Sequence, residues 1–312
     1  MDAEVLAREV LLAQPRGFCA GVTRAIDTVE RALATYGRPV YVFHEIVHNG
    51  HVVGELAGRG AVFVDDLELI PEGAVTVFSA HGVSSAVVRR ARERRLKVID
   101  ATCPLVAKVH LQAQRYTSQG YAIVMIGHAG HEEVEGTVGS IDGDVHLVAS
   151  LADIAALQIP RDAPVAYVTQ TTLSLDDTRE LIEALQARFP GIVGPELDGI
   201  CYATLNRQQA VRRMAGEVDM VLVVGSRNSS NSNRLREVAS QQGVPAYLVE
   251  NAAEVDPRWL VGRGRVGITA GASAPEVLVT GVRQTLADMG PVLERELEGP
   301  AETVSFRLPT MA

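Results

Sequence analysis

Nine short apolar runs recur along the 312-residue chain, and each of them ends in a polar or glycine-rich turn. They are VYVFHEI from position 40, AVFVDDL from 61, VTVFSAH from 75, AIVMIGH from 122, VHLVAS from 145, PVAYVTQ from 164, MVLVVGS from 220, AYLVEN from 246 and RVGITAG from 265. Amphipathic stretches with helical spacing separate the runs. This alternation predicts an α/β fold whose sheets are buried and mostly parallel.

The runs repeat in three groups, each counted from one of the three cysteines. The strand after the cysteine ends 29, 28 and 28 residues further on, at His48, His131 and Ser229. This self-similarity predicts three similar α/β domains around a pseudo-threefold axis, with a central cavity at the carboxyl ends of the strands. The alternative is a single doubly wound sheet. The predicted divisions are residues 10–102, 103–198 and 199–290, followed by a tail at 291–312.

Cysteine occurs only at three predicted starts of helices. Cys19 stands in PRGFCAG, Cys103 in DATCPLV and Cys201 in DGICYAT, and we expect a strand before each of them. Unsatisfied N–H groups and the helix dipole stabilise a thiolate at such a position, and thiolates ligate metal. The three would suit an iron–sulfur cluster or zinc, although a structural zinc site usually contains CxxC pairs. The alternative is that the cysteines are small buried core residues.

Imidazoles and one carboxylate also follow predicted strands. His48 and His81 lie at strand ends, and IGHAGHEEVEGT places His131 and Glu133 on one glycine-containing loop. A carboxylate beside imidazoles, shielded from water, can hold and deliver a proton. The alternative is a solvated acidic turn.

Three loops offer neutral donors at equivalent places in the repeat. The clearest is VVGSRNSSNSNRL, in which Ser229, Ser230 and Asn231 would precede a helix that begins near Ser232 or Asn233. Backbone, hydroxyl and amide donors at such a helix start can bind an anion. The other two loops contain Thr171 in TQTTLS and Ser273 in TAGASAP, where Pro275 is expected at the first helical position. Each loop alone could simply be a helix cap.

Composition excludes several other functions. The net charge is −9, from 38 acidic and 29 basic residues, which disfavours a general nucleic-acid binder. Only two lysines occur, Lys97 and Lys108, and neither lies in a P-loop motif. No apolar run is long enough to cross a membrane, and the N-terminus does not resemble an export signal. An odd number of cysteines favours a reducing, cytoplasmic location.

The motifs resemble those of a known family. PRGFCAGV, HEIVHN, SAHGVS, DATCPLVAKVH, IGHAGHEEVEGT, TQTTLS, ICYATLNRQ, VVGSRNSSNSNRL and TAGASAP match, in order, the motifs of the LytB-type 4-hydroxy-3-methylbut-2-enyl diphosphate reductases. The resemblance extends from about Leu11 to about Leu308. Glu132 is a departure, since many family members have proline there.

The resemblance implies a central [4Fe–4S] cluster bound by Cys19, Cys103 and Cys201, with a fourth iron open to substrate. Loss of that iron would leave [3Fe–4S]. It also implies an allylic diphosphate substrate, an electron donor of the ferredoxin or flavodoxin type, and no nucleic-acid or membrane partner. By the same resemblance, the substrate-binding residues are His48, His81, His131, Thr171, Ser229, Ser230, Asn231 and Ser273.

The implied reaction is a reductive removal of the substrate's hydroxyl that ends the non-mevalonate isoprenoid pathway. Two electrons arrive through the cluster, whose open iron binds the hydroxyl, and two protons complete the reaction. Glu133, with His131 and Thr171, would deliver the proton that lets water leave, giving isopentenyl or dimethylallyl diphosphate. Two rival interpretations are a dehydratase or isomerase without net reduction, and a non-enzymatic iron or redox sensor.

Overall fold

A computed structural model describes residues 9–195 and 199–311. In chain order, the strands are β1 (Glu9–Leu12), β2 (Val40–Phe43), β3 (Ala61–Val64), β4 (Val75–Phe78), β5 (Lys97–Asp100), β6 (Ala122–Ile126), β7 (Val145–Val148), β8 (Val165–Thr169), β9 (Met220–Val224), β10 (Ala246–Val249), β11 (Arg265–Ala270) and β12 (Leu293–Glu296). The α-helices are α1 (Ala20–Tyr36), α2 (Gly50–Gly58), α3 (Ser85–Glu93), α4 (Pro104–Ser118), α5 (Glu132–Val138), α6 (Leu151–Ala156), α7 (Leu175–Arg188), α8 (Tyr202–Ala215), α9 (Ser230–Gln241) and α10 (Glu276–Asp288). None of these described helices is long and apolar enough to cross a membrane.

The predicted α/β class and the ninefold strand pattern are both confirmed. Every one of the nine apolar runs contains a strand, and all strands pair in parallel within three sheets. One three-strand order recurs as β3-β2-β4, β7-β6-β8 and β10-β9-β11. The first sheet adds β5, and the last adds β1 and β12. The repeat inferred from spacing is therefore a repeat of strand order.

Strand pairing does not follow the order of the chain at its two ends. β1 pairs with β11 and β12, so it lies in the sheet formed mainly by residues 220–296. The first compact unit contains the residues up to Cys19, His48–Gly50 and Tyr202–Val304. The second contains Ala20–Val47, His51–Cys201 and the residues from Ser305. The divisions at 102, 198 and 290 stay a prediction.

Alternation of side chains buries both faces of the sheet in the first unit. On β9, Met220, Leu222 and Val224 pack in one apolar cluster, which includes the inner face of α10. Val221 and Val223 point into the opposite cluster, which includes residues of α8 and α9. Successive side chains of a strand face opposite sides, so only a continuous apolar run can fill both clusters. The run MVLVV therefore encodes a central strand covered on both sides.

The prediction that the cysteines stand at helix starts is confirmed, but the described residues directly before Cys201 do not form a strand. Cys19 immediately precedes α1, Cys201 immediately precedes α8, and Cys103 is the N-cap of α4 with Pro104 at its first position. Gly199 and Ile200 form a turn before Cys201 and not a strand. The preceding Asp198 lies outside the described residues. The short apolar stretch there is too interrupted by glycine to extend a sheet.

A buried guanidinium fixes the turn that carries Cys19. Arg207 on α8 has no exposed surface, and its nitrogens donate to the carbonyl oxygens of Gly17 and Phe18 at 2.7 and 3.3 Å. It also donates to the carboxylate of Glu302 at 3.0 Å. Gly17 has a φ of +67°, a conformation that suits glycine. The carbonyls before Cys19 thus point toward Arg207, and a neutral side chain could not satisfy all of these acceptors.

Replacing Arg207 with Met should lower the free energy of unfolding by about 3–5 kcal/mol, because the buried carbonyls and Glu302 would lose their cationic donor. Urea denaturation followed by circular dichroism measures this change. Arg213→Met is the matched control on the same helix, since Arg213 is exposed and contacts only the Gln14 carbonyl at 3.5 Å. The control should change stability by less than about 0.5 kcal/mol. Equal effects of the two substitutions would contradict the role given to Arg207.

Candidate functional site

A buried carboxylate in the second unit is held by a threonine. Glu133 on α5 is 2% exposed. The backbone N–H of Thr171, just after β8, donates to Glu133 Oε1 at 2.6 Å, and the Thr171 hydroxyl donates to Oε2 at 2.8 Å. A buried carboxylate without such donors would be strongly destabilising. The two hydrogen bonds fix both oxygens of Glu133 and hold the carboxylate in one orientation.

His131 caps the helix that carries this carboxylate. Its Nδ1 accepts a hydrogen bond from the backbone N–H of Glu133 at 3.2 Å. A ring nitrogen that accepts a hydrogen bond carries no proton, so the proton of the imidazole is on Nε2. The structure corrects one expectation here, since Glu133 lies in the helix Glu132–Val138 and not on the loop with His131. The cap makes the loop and the helix start one rigid element.

The carboxylate of Glu132 contacts the imidazole of His81, and the sequence analysis gave it no role. His81 Nδ1 lies 2.7 Å from Glu132 Oε2, and both side chains are largely buried. The rings of His81 and His131 meet edge to face, with centroids 6.1 Å apart. A carboxylate at Nδ1 fixes the ring orientation and places the proton on that nitrogen. The spacing of the histidines offered no signal for this pair, because Glu132 was treated only as a departure from the family pattern.

Two of the cysteines are tied to the same part of the second unit through their backbones. The N–H of Cys103 donates to the carbonyl of Ala80 at 3.0 Å, next to His81. The N–H of Cys201 donates to the carbonyl of Thr171 at 3.1 Å. Thr171 therefore connects Cys201 to the carboxylate of Glu133. The predicted residues His81, His131, Glu133 and Thr171 thus form one hydrogen-bonded neighbourhood with the turns of Cys103 and Cys201.

Gln170 is a buried residue of this neighbourhood that the sequence analysis missed. Its Oε1 accepts a hydrogen bond from the backbone N–H of His128 at 3.1 Å, and its Nε2 donates to Thr172 at 3.0 Å. These bonds connect the loop after β6 to the loop after β8. Its sequence signal is its place directly before Thr171 in the motif TQTTLS, and the structure shows that its side chain is fully buried.

The first unit contains the serine loop. Ser229 is the N-cap of α9, and its hydroxyl accepts from the N–H of Ser232 at 3.3 Å. The helix begins at Ser230, so the expected start near Ser232 or Asn233 was wrong. Ser229 has the extended backbone and the side-chain hydrogen bond of an N-cap, so the loop ends earlier than the serine run suggests. Ser230 and Asn231 are therefore in the first helical turn.

Two glycines let this helix turn approach the ends of the strands. A Cβ at Gly225 or Gly271 would lie 2.2 or 2.0 Å from the hydroxyl oxygen of Ser232. Ser232 also donates to the hydroxyl of Ser229 at 3.0 Å. Any side chain at either glycine would push the capped turn outward.

Asn231 has one satisfied and one unsatisfied amide atom. Its Oδ1 accepts from the backbone N–H of Ala272 at 2.9 Å, which fixes the side chain against the loop after β11. Its Nδ2 is buried and has no hydrogen-bond partner among the described residues. An unpaired buried donor costs about 1–3 kcal/mol, which an acceptor oxygen of a ligand would offset. The serine loop is therefore built to receive an acceptor.

The loop after β11 carries the last predicted donor. Ser273 is 7% exposed, and its hydroxyl donates to the carbonyl of His48 at 2.9 Å. The N–H of Cys19 donates to the carbonyl of Ala272 at 3.2 Å. The sequence predicted Pro275 at the first helical position of α10. The structure shows instead that Pro275 is the N-cap of that helix. The first unit thus contains Ser229, Ser230, Asn231, Ser273, His48 and Cys19 in connected loops.

All three cysteines lie in the described part of the chain, and none of them is in a disulfide bond. Each is partly buried, with a backbone N–H that is already hydrogen-bonded or a helix that starts beside it. A thiol in such a position keeps its sulfur available as a ligand while its backbone is rigid. The chemistry of the set, three thiols with no nearby CxxC pair, fits the cluster implied by the resemblance better than a closed zinc site.

Comparison with protein families matches residues 10–287 to the model described as LytB protein. A relative from Bordetella pertussis, named 4-hydroxy-3-methylbut-2-enyl diphosphate reductase, is 60% identical over 311 residues, which is 99% of this chain and 96% of the relative. A reductase of the same name from Zymomonas mobilis is 57% identical over 96% of this chain and 88% of its own length.

Solved structures agree with these relatives. The E-1-hydroxy-2-methyl-but-2-enyl-4-diphosphate reductase from Plasmodium falciparum superposes with a TM-score of 0.93 at 36% identity, covering 97% of this chain and 96% of its own. A structure of (E)-4-hydroxy-3-methyl-but-2-enyl diphosphate reductase, the terminal enzyme of the non-mevalonate pathway, has a TM-score of 0.64 at 33% identity over 90% of this chain and 99% of its own. With matches of this extent in sequence and fold, the chain belongs to the LytB family.

Proposed function

We propose that the protein reduces (E)-4-hydroxy-3-methylbut-2-enyl diphosphate to isopentenyl diphosphate and dimethylallyl diphosphate, the last step of the non-mevalonate isoprenoid pathway. The observation that carries this proposal is the buried carboxylate of Glu133, held by Thr171, in a chain 60% identical along its length to a reductase of that name. The reaction replaces a C–O bond with a C–H bond and releases water, so it consumes two electrons and two protons.

A [4Fe–4S] cluster bound by Cys19, Cys103 and Cys201 is the cofactor that we propose. Support comes from the three thiols at helix starts, where the helix dipole favours the thiolate. When bound, such a cluster would supply electrons and, at the iron that has no protein thiolate, a Lewis acid for the substrate's hydroxyl. The chain itself would fix the three ligands through the backbone bonds of their turns.

The diphosphate of the substrate is proposed to bind the neutral donors of the first unit. Asn231 offers a buried Nδ2 without a partner, and Ser229 and Ser230 stand at a helix N-terminus. Ser273, His48, His81, His131 and Thr171 complete the proposed set of substrate-binding residues. Binding by hydroxyl, amide and imidazole groups, without lysine, agrees with the acidic composition of the chain.

Glu133 is proposed to deliver the proton that accompanies loss of the hydroxyl. Thr171 supports either protonation state of Glu133, because a threonine hydroxyl can donate to a carboxylate or accept from a carboxylic acid. His131, which caps the helix at Glu133, would orient the group. Burial keeps bulk water from competing for this proton.

Two further parts of the proposal concern the cell. The electrons would come from an external carrier of the ferredoxin or flavodoxin type, and the protein would work in the cytoplasm, where its thiols stay reduced.

Anaerobic assays test the activity. The reconstituted protein should consume hydroxymethylbutenyl diphosphate when dithionite and methyl viologen are supplied, and should be inactive without reductant. Cys103→Ser should lose the broad thiolate-to-iron absorbance together with turnover. Turnover without reductant would favour a dehydratase or isomerase, and full turnover without iron would contradict the cluster.

Replacing Glu133 with Gln should lower kcat by about 10²–10⁴-fold, because the amide keeps the shape but cannot supply the proton. Substrate KM should change little, since the diphosphate contacts lie elsewhere. Glu135→Gln is the matched control, because Glu135 is exposed on the same helix. If kcat of Glu133→Gln equalled that of the control, the proton would have to come from another group.

Replacing Asn231 with Asp should raise substrate KM at least tenfold, as a rough estimate, because it keeps the acceptor for Ala272 but exchanges the unpaired donor for a negative oxygen. Asn251→Asp adds the same charge at an exposed cap elsewhere in the unit and should leave KM near that of the native protein. Steady-state kinetics with varied substrate concentration measure both. A larger effect of Asn251→Asp would show that net charge, not the serine loop, controls binding.

A further inference from the structure

A groove in the second unit lies between α3 and α4, outside the site described above. It has a volume of about 530 Å³. Its lining comes from α3, from the turn before Cys103 and from α4, and the lining residues used below are Arg89, Arg92, Asp100, Thr102, His110 and Leu111. The proposed reaction uses none of these side chains.

The groove is bordered by cations without partners. Arg89 and Arg92 on α3, and Lys108 and Arg115 on α4, are exposed, and their side chains form no ion pair or hydrogen bond among the described residues. Arg31, Arg38 and Arg161 are also exposed without an ion pair among the described residues, so what distinguishes the groove is that several such cations lie on its two helices. The two helices therefore carry a local cluster of positive charge.

The acids near the groove do not cancel that charge. On the far side of α3, Glu68 pairs with Arg90 and Arg94, and Glu93 pairs with Arg90. Asp100 lines the groove and accepts from the backbone N–H of Thr102 at 2.9 Å; its single charge offsets one of the four cations and leaves the others in excess.

The groove contains no second source of positive charge. Burial lowers the pKa of His110, while the charge of Asp100 acts in the opposite direction. His110 is therefore neutral near pH 7 and adds nothing to the charge of the four cations.

An exposed apolar side chain stands among these cations. Leu111 is 67% exposed, which is high for a leucine in the middle of a helix. Lys108 and Arg115 are three and four residues away on α4, so they flank Leu111 on one helix face. An apolar contact surrounded by like charges is the anatomy of a small protein interface, in which the centre excludes water and the rim sets the partner's charge.

The groove leads directly to one of the proposed cluster ligands. Thr102 lines it, and Cys103 is the next residue. The carbonyl of Thr102 accepts a hydrogen bond from Arg24 at 3.0 Å, which fixes the turn between the groove and the cysteine. Electron transfer weakens steeply with distance, so a carrier seated here would reach Cys103 through a single residue.

We propose that this groove, lined by Arg89 and Arg92 and flanked on α4 by the exposed Lys108 and Arg115 beside Leu111, is the docking surface for an acidic one-electron carrier protein. The proposal rests on the proposed reductase function, which needs electrons from outside the chain. Charge complementarity selects the acidic partner, and the modest size of the groove suits a short-lived redox encounter, whose interfaces are the smallest class of specific contacts. Such encounters are steered by charge and weaken as salt rises.

Two electron sources distinguish an effect on carrier docking from an effect on the reaction itself. With an acidic [2Fe–2S] ferredoxin, kept reduced, as the only donor, Arg89→Glu and Arg92→Glu should each raise the KM for ferredoxin about fivefold at low salt. With dithionite and methyl viologen, both variants should turn over like the native protein. Raising the salt concentration should increase the KM for ferredoxin of the native protein more than that of either variant.

Arg161→Glu is the matched control, since Arg161 is exposed, has no ion pair among the described residues and precedes β8 at the opposite end of its sheet from the cysteine turns. It changes the net charge equally and should leave the KM for ferredoxin unchanged. An equal rise in the control, or no rise in the two groove variants, would overturn the docking proposal while the dye-driven activity stands. Loss of the dye-driven activity in the native protein would instead refute the reductase function.

Leu111→Ser tests the apolar contact at the centre of the proposed interface, which does not depend on charge. It should raise the KM for ferredoxin at high salt as well as at low salt, because apolar contact is not screened. If the KM for ferredoxin rose only at low salt, Leu111 would not belong to the interface and the encounter would be purely electrostatic. That result would contradict the proposed apolar centre. Because Leu111 is exposed, the substitution should not affect folding.

Discussion

Parallel pairing is the constraint on which the rest of this structure depends. When every strand in a sheet runs the same way, the carboxyl ends of all its strands meet at one edge, and the helices that follow begin there. The N–H groups at that edge have no partner within the sheet or the helix. In this chain, loops at those edges present Ser229, Asn231, Thr171 and Cys103. The repeated strand order supplies similar edges, each with its own chemistry.

Two buried charged side chains use this framework in opposite ways. Arg207 donates to several backbone carbonyls and to Glu302, so it is fully committed to holding the turn before Cys19. Glu133 accepts hydrogen bonds from the backbone N–H and the hydroxyl of Thr171, and the hydroxyl can reverse its role. The first arrangement resists any change of charge, whereas the second tolerates a proton. Burial alone therefore does not distinguish a structural charge from a chemical one; the nature of the donors does.

The sequence predicted the strands, the repeat and the helix-start cysteines because these features are local. The run MVLVV is enough to specify a strand covered on both faces, and the motif DATCPLV is enough to specify a helix that begins at a proline. The pairing of β1 with β11 and β12 was missed, because the four residues of β1 carry no information about partner strands more than 250 residues away. The contact of Glu132 with His81 was missed for the same reason, as it depends on two loops whose approach no spacing reveals.

The division of donors between the two units has a consequence for catalysis. A diphosphate is present with the same charge in the proposed substrate and in both products, so the proposed contacts from Asn231 and the serines would bind all three about equally. Uniform binding of this kind lowers KM without raising kcat. Selection for the reduction would therefore come from groups that respond to the leaving hydroxyl, and Glu133 is a buried acid whose hydroxyl partner allows a change of protonation. In the proposed reaction the serine loop would position the substrate, and the pair Glu133 and Thr171 would determine what happens to it.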